Sequence, residues 1–280
     1  MDKATKSILA KTAAKVRINA VTAVYSAKSG HPGGSLSCAD ILTYLYFKEM
    51  NIDPKNPNKP DRDRFVLSKG HCSPALYGVL AERGYFDASE IKSFRKLGSF
   101  LQGHPDMKET PGVDMTTGSL GQGVSAACGM ALNAKLFNKD YRTYAILGDG
   151  ELEEGQCWEA AMFAAHYKLD NLCVAIDFNG LQIDGNITDV MNVTPIDEKF
   201  KAFGFNVITI DAHNFDEIDA AYAAAKTVKG KPTAIIAKSI KGKGVSFMEN
   251  EAGWHGMAPS AEQYEQAMTE LTAIMESEVQ

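Results

Sequence analysis

Asp149 stands between Gly148 and Gly150, and Asn179 follows thirty positions later. Glycines let a ligand come close to the backbone, and the start of a helix offers unpaired amides to a phosphate group. A carboxylate beside a phosphate repels it unless a cation lies between them, so the pattern calls for a divalent metal. Asp149, the amide oxygen of Asn179, the carbonyl of Leu181 and two oxygens of a diphosphate make the hard shell that Mg2+ or Ca2+ requires, with water completing it. Taken alone, the Gly-Asp-Gly triplet also suits an ordinary turn.

A second set of residues could move protons. Four of the six histidines, His31, His71, His104 and His255, adjoin a glycine in a loop. With an ordinary pKa of ~6.5, imidazole serves as donor, acceptor or proton carrier near neutral pH. His166 and His213 fall in a helix and in a turn, and their expected role is structural. The basic run Lys238, Lys241 and Lys243 is expected to form a solvated loop.

These groups need a frame. The apolar run Tyr144 to Leu147 predicts a buried strand leading into the Gly-Asp-Gly turn, then a helix with Trp158, Met162 and Ala165 on one face. The run Leu172 to Ile176 predicts the returning strand, which puts Asp149 and Asn179 at the carboxyl ends of neighbouring parallel strands, where open α/β sheets bind ligands. Further strands are expected at Phe65 to Leu67, Phe205 to Ile210 and Thr233 to Ala237. Helices are expected over 4–28 (with Ile8, Ala14, Val16, Ile18, Val21 and Val24 inward), from Ser37 or Asp40 to Met50, from Pro74 onward, near 88–96, over Val124 to Leu136, over 216–227, and from about Ser260. The glycine-rich stretch 114–123 should approach a ligand, and the loop 181–200 should wrap the site. Strands alternating with helices predict an α/β fold, a parallel sheet with helices on both faces.

At 280 residues the chain can bury a large core. A net charge of −6 gives no reason to expect nucleic acid or an anionic membrane as partner. No apolar run is long enough to span a bilayer, and the start, MDKATKSILAKTAAKV, suits an amphipathic helix and not a signal peptide, so a cytoplasmic enzyme is expected. Five cysteines, without a CxxC pair, are expected to be reduced structural thiols. Neither HxH nor HExxH occurs, which disfavours a histidine-based metal hydrolase. No repeat or interdomain linker is visible.

In order along the chain stand GHPGG at 30–34, LSKGH at 67–71, GHP at 103–105, TTGSLGQG at 116–123, GDGELEEG at 148–155, DFNGLQIDG at 177–185 and WHG at 254–256. This ordered set resembles the N-terminal, diphosphate-binding domain of transketolase, a thiamine diphosphate-binding fold, and covers nearly the whole chain. The resemblance implies thiamine diphosphate and Mg2+ (or Ca2+) as cofactors, and transfer of a two-carbon ketol unit from a ketose phosphate to an aldose phosphate. It implies that Asp149, Asn179 and Leu181 hold the metal, that Gly150 and Asn179 meet the diphosphate, that Gly118, Ser119 and Leu120 meet the aminopyrimidine, and that Glu151 also belongs to the cofactor site. His71 and His255 would lie along the cofactor, His31 and His104 would face the sugar hydroxyls, and Glu154 resembles the carboxylate linking paired sites across a dimer. Deoxyxylulose phosphate synthases and keto-acid dehydrogenase E1 subunits share the Gly-Asp-Gly and Asn pattern, whereas LSKGH and GHP favour transketolase. A catalytically silent domain that regulates a partner is a further alternative.

Full-length members continue into a pyrimidine-binding domain, which carries the glutamate that protonates the aminopyrimidine, and a third domain. This chain stops at Gln280. The expectation is one diphosphate-binding domain over 1–280, the N-terminal subunit of a split transketolase that works with a separate C-terminal chain in an α2β2 assembly.

Overall fold

The computed structural model describes residues 1–277; the last three, with the Gln280 at which the sequence stops, lie outside the described residues. In chain order come α1 (Lys3–Ala27), α2 (Pro32–Ser37), α3 (Ala39–Tyr44), β1 (Arg64–Leu67), α4 (Ser73–Arg83), α5 (Gln122–Leu136), β2 (Thr143–Gly148), α6 (Gly155–His166) and β3 (Leu172–Phe178). A hairpin of β4 (Leu181–Gln182) and β5 (Gly185–Asn186) follows, then α7 (Ile187–Val190), α8 (Ile196–Ala202), β6 (Asn206–Asp211), α9 (Phe215–Thr227), β7 (Thr233–Lys238) and α10 (Ala261–Glu276). All five expected strands form, within one or two residues of their expected ends.

They make one parallel sheet in the order β1-β2-β3-β7-β6. Both faces are covered, which explains why the central strands read as unbroken apolar runs and not as alternation. Side chains still sort by period two. Tyr144 and Ile146 enter the core shared with α1, α3, α4 and α9, while Ala145 and Leu147 enter the core beneath α5, α6 and α8. α10 closes on α1 through the stacked rings of Tyr25 and Tyr264, 4.1 Å apart, and Ser260 starts it with a capping box to Gln263.

Several local expectations are corrected. α6 buries Cys157, Ala160, Ala161 and Ala164, not the Trp158, Met162 and Ala165 face. Its small residues meet those of α5 (Ala127, Cys128, Ala131), so the two helices pack closely while Met162 is left in solvent. Trp158 is half-buried between the rings of Phe200 and Phe203. In α1 it is Leu9 that is buried and Ile8 that is exposed.

The stretch expected as one helix from Ser37 or Asp40 to Met50 is broken. α2 begins earlier, at Pro32, whose fixed φ suits a first helical position. The side chains of Ser37 and Cys38 then bond back to the Gly34 carbonyl, and after α3 the chain widens into a π turn over Leu45–Glu49. Residues 88–96 hold only a 3-10 turn, Ala88–Ser93, capped by Asp87. Gly150 does not open the α-helix itself: a 3-10 turn, Gly150–Glu153, comes first. The loop 181–200 contains the hairpin and two short helices. No helix among the described residues is long and apolar enough to cross a membrane, and all five cysteines are free and buried.

Candidate active site

Four adjacent parallel strands deliver their carboxyl ends to one place. β1 leads into Ser68 and Lys69, β2 ends at Gly148 and leads into Asp149, β3 carries Asp177 and leads into Asn179, and β7 leads into Ser239 and Lys241. Above them opens a cavity of about 340 Å³, floored by Asp149, Gly150 and Asn179 and walled by His31, His71 and His255. This is the carboxyl-edge position expected for an open α/β sheet.

Asp149 is 2 % exposed. Its carboxylate accepts from the Gly150 amide at 2.9 Å and the Gly180 amide at 2.6 Å, and no ion pair holds it among the described residues. Burial, and then the neighbouring Asp177, push its carboxyl up to about 6. Asn179 donates its amide N–H to Asp177 at 3.1 Å, and its amide oxygen accepts from the Leu181 N–H, also at 3.1 Å. The Leu181 carbonyl accepts from Lys241 Nζ at 3.2 Å.

Beneath this floor lies an ion pair. Lys69 Nζ meets Asp177 Oδ2 at 2.5 Å with side-chain exposures of 2 % and 0 %. Lys69 also donates to the Gly34 carbonyl, and Asp177 accepts from Ser37 and Ser239. Burial alone would raise the Asp177 carboxyl; Lys69 and the hydroxyl donors overcome it and hold the group below its usual range.

Glu151 is buried, and its carboxylate accepts from the Ser68 hydroxyl and the amides of Gly121 and Gly148. It therefore staples the turn at 118–121 onto β1 and β2. Within that turn Leu120 lines the cavity, while Ser119 is exposed and its carbonyl accepts from the Gln122 N–H at the start of α5. Gly118 has φ +150° and lies against His104, where a β-carbon would stand 2.9 Å from the ring. Glu154 is exposed at the cavity rim, at the N-cap of α6.

The three imidazoles of His31, His71 and His255 form a mutual cluster, with ring centroids 5.1 to 5.3 Å apart. His104 is not part of it. Burial first, then nearby cationic groups, depress all three: His31 and His255 to about 4, His71 well below its usual value. The cluster is neutral at pH 7. An NMR titration should give midpoints near 4 for His31 and His255, whereas midpoints near 6.5 would mean solvated rings. Because their folded pKa lies below the unfolded value, these rings refuse protons that the unfolded chain accepts, so stability is lost as pH falls from about 6.5 towards 4.

Lys241 is a correction. Expected in a solvated loop, it is 2 % exposed, with Nζ 3.2 Å from His255 Nδ1, and burial lowers its pKa. Lys238 remains exposed and Lys243 pairs with Glu249. His213 is structural, as expected: it bonds Asp40, which Arg17 also holds, and its Nε2 accepts the Ile240 N–H. His166 is exposed at the end of α6. Lys69 and Asp177 escape a reading of the sequence alone, although a charged residue closing an apolar strand run is a signal for both.

The donor set fits a hard divalent cation: one buried carboxylate without an ion pair, one amide oxygen and one main-chain carbonyl. Side chains alone do not complete such a site, since no group of three His, Cys, Asp or Glu among the described residues is arranged to hold a metal. Oxygens of a ligand must supply the remainder. His31 Nδ1 and Gln182 Nε2, both at the cavity wall, are buried without a hydrogen-bond partner, as in a site built for a polar ligand.

A family model described as transketolase, thiamine diphosphate binding domain, matches residues 8–276. The 6-deoxy-6-sulfo-D-fructose transketolase subunit of Clostridium sp. strain MSTE9 is 49 % identical over 242 residues, covering 86 % of this chain and 88 % of that protein. An apulose-4-phosphate transketolase subunit of Phocaeicola vulgatus is 44 % identical over 262 residues, covering 94 % and 93 %. Transketolase from Pichia stipitis, solved in complex with sedoheptulose-7-phosphate, superposes with a TM-score of 0.91 at 36 % identity, covering 95 % of this chain but 41 % of that one. Fold, ordered motifs and family match agree, and the chain belongs to the transketolase family, in its thiamine diphosphate-binding domain.

Proposed function

We propose that this chain is the N-terminal subunit of a split transketolase, a single diphosphate-binding domain that transfers a two-carbon ketol unit between sugar phosphates together with a C-terminal partner chain in an α2β2 assembly. The observation that carries the proposal is the meeting of Asp149, Asn179 and Leu181 at the ends of β2 and β3, under a wall of three neutral imidazoles. Support for a two-chain enzyme comes from relatives named as subunits, whose length this chain nearly spans. Buried free thiols and the absence of a spanning helix among the described residues accord with the cytoplasm as its compartment.

Thiamine diphosphate, when bound, supplies the nucleophilic carbon for cleaving and re-forming a carbon–carbon bond. The chain's own residues bind, orient and move protons. Asp149, Asn179 and the Leu181 carbonyl hold Mg2+, or Ca2+ in its place, and the bare backbone of Gly150 admits the diphosphate. Gly118, Ser119 and Leu120, held by Glu151, offer backbone and packing contact to the cofactor's ring. His31, His71 and His255, neutral and desolvated, accept a proton from a substrate hydroxyl or donate one to a developing alkoxide. His104, set behind Gly118, serves the outer sugar hydroxyls, and Glu154 at the rim faces a neighbouring subunit.

The test is ketol transfer between a ketose phosphate and an aldose phosphate with thiamine diphosphate and Mg2+, using this chain alone and mixed with the candidate C-terminal chain. Activity only in the mixture is the expected result. Activity of this chain alone at the level of a complete enzyme would overturn the split; silence of both would leave cofactor binding standing but move the reaction to a relative of the family or to a different partner.

A further inference from the structure

We propose that Asp177 is a positioning residue that fixes which end of the Asn179 amide is offered to the metal. The inference rests on the cofactor-and-metal reading above and adds to it a residue two positions from Asn179 that is fully buried and does not line the cavity.

An asparagine amide has two ends of opposite character, N–H donors and an oxygen acceptor, and nearly equal size. Nothing in the shape of Asn179 distinguishes them, yet only the oxygen can ligate a cation. Asp177, fully buried, resolves the choice. Its Oδ2 accepts from Asn179 Nδ2 at 3.1 Å, and Asn179 Oδ1 then accepts from the Leu181 N–H at 3.1 Å, which favours the same orientation but is a weaker selector, being a neutral donor where Asp177 is a charged acceptor. Reversing the amide would set two oxygens against each other about 3 Å apart, one of them on a fully buried carboxylate.

The carboxylate can impose this because it is itself held from several directions. Lys69 Nζ at 2.5 Å and Ser37 Oγ at 2.6 Å donate to the same Oδ2, and Ser239 donates to Oδ1. These donors come from the ends of β1 and β7 and from α2, so three elements fix one carboxyl group. With its cation already supplied by Lys69, Asp177 is not a competing metal ligand. Asp149 has no ion pair among the described residues, and the two carboxylates thus have different roles in one floor.

The test uses the full chain, with Mn2+ as probe in the presence of thiamine diphosphate, and reads bound metal by electron paramagnetic resonance. Asp177→Leu, similar in shape but without an acceptor, made together with Lys69→Met so that no buried charge is left unpaired, removes the acceptor that holds Asn179 Nδ2. Metal affinity should fall by about 10- to 100-fold, the range for loss of a partner that orients a ligand. Lys69→Met alone keeps the Asp177 acceptor and should bind Mn2+ better than the double variant, although the double variant, with no unpaired buried charge, should melt no lower. A merely structural role of Asp177 would make affinity follow the melting temperature. Wild-type affinity in the folded double variant, or a double variant that binds Mn2+ as well as Lys69→Met, would overturn the assignment.

Should the variants fail to fold, the wild-type chain decides. The side-chain NH2 of Asn179 should exchange slowly with solvent in NMR, and fast exchange would overturn the proposal. Failure of the wild type to bind Mn2+ and thiamine diphosphate at all would instead bring down the cofactor reading, and this assignment with it.

Discussion

Asp149→Ala should weaken metal-dependent binding of thiamine diphosphate by at least ~100-fold, the upper end of what loss of even a supporting partner costs a metal site. Asp149 is the carboxylate that stands beside Asn179 on the cavity floor, and the buried Glu151 carboxylate cannot replace it because it is held by the Ser68 hydroxyl and the amides of Gly121 and Gly148. The variant should nevertheless stay folded. It loses acceptors for the Gly150 and Gly180 amides, which costs roughly 1–3 kcal/mol each where they are left unpaired, but it also removes a buried charge. Isothermal calorimetry with thiamine diphosphate and Mg2+, beside a melting curve of the free chain, separates the two effects. Unchanged binding would refute the site.

The same carboxyl predicts a pH dependence with a definite sign. Its folded pKa of about 6 lies above the value near 4 of an unfolded aspartate. Between these values the folded chain keeps a proton that the unfolded chain has lost, so Asp149 makes the metal-free chain less stable as pH rises from about 4 to 6. Above 6 the burial cost is present in full, and a cation bound there would offset it. Metal affinity should therefore fall as pH drops below about 6, where proton and metal compete for one site.

Lys69→Met should lower the melting temperature by roughly 6–20 °C. Removing one member of a buried pair leaves the other charge uncompensated, at a cost of about 3–5 kcal/mol, and each kcal/mol is worth ~2–4 °C in a chain of this size. Lys69 and Asp177 qualify because both side chains are essentially inaccessible. The pair Lys201–Asp197 is the internal control: its side chains are 57 % and 39 % exposed and screened by solvent, and Lys201→Met should leave the melting temperature unchanged. A melting temperature within 3 °C of the wild type for Lys69→Met would show that solvent reaches Asp177.

Much of the frame was legible in the chain. Strands covered on both faces leave long apolar runs, and in a parallel sheet each run must be followed by a crossover, so five strands and the α/β class could be placed from pattern alone. Asp149 and Asn179 were legible because glycines and strand ends are local signals, and His31, His71 and His255 because each is tied to a glycine loop. The breaks near Ser37 and Tyr44 were not legible, since a side chain returning to the Gly34 carbonyl competes with helix propensity through tertiary geometry.

Amino-acid order by itself determined the α/β class, the strand ends and which polar residues stand there, because hydrophobic periodicity and turn chemistry act over a few residues. Only the tertiary structure decided which of those groups meet. Lys241 lies far along the chain from Lys69, yet burial against His255 and the Leu181 carbonyl turns a basic loop residue into part of the cavity wall. Lys69 and Asp177 are 108 positions apart, and they pair because two strands two places apart in the sheet end at the same level. Burial, and hence the charge state of each site residue, depends on what the remote chain packs over it, and no local pattern encodes that.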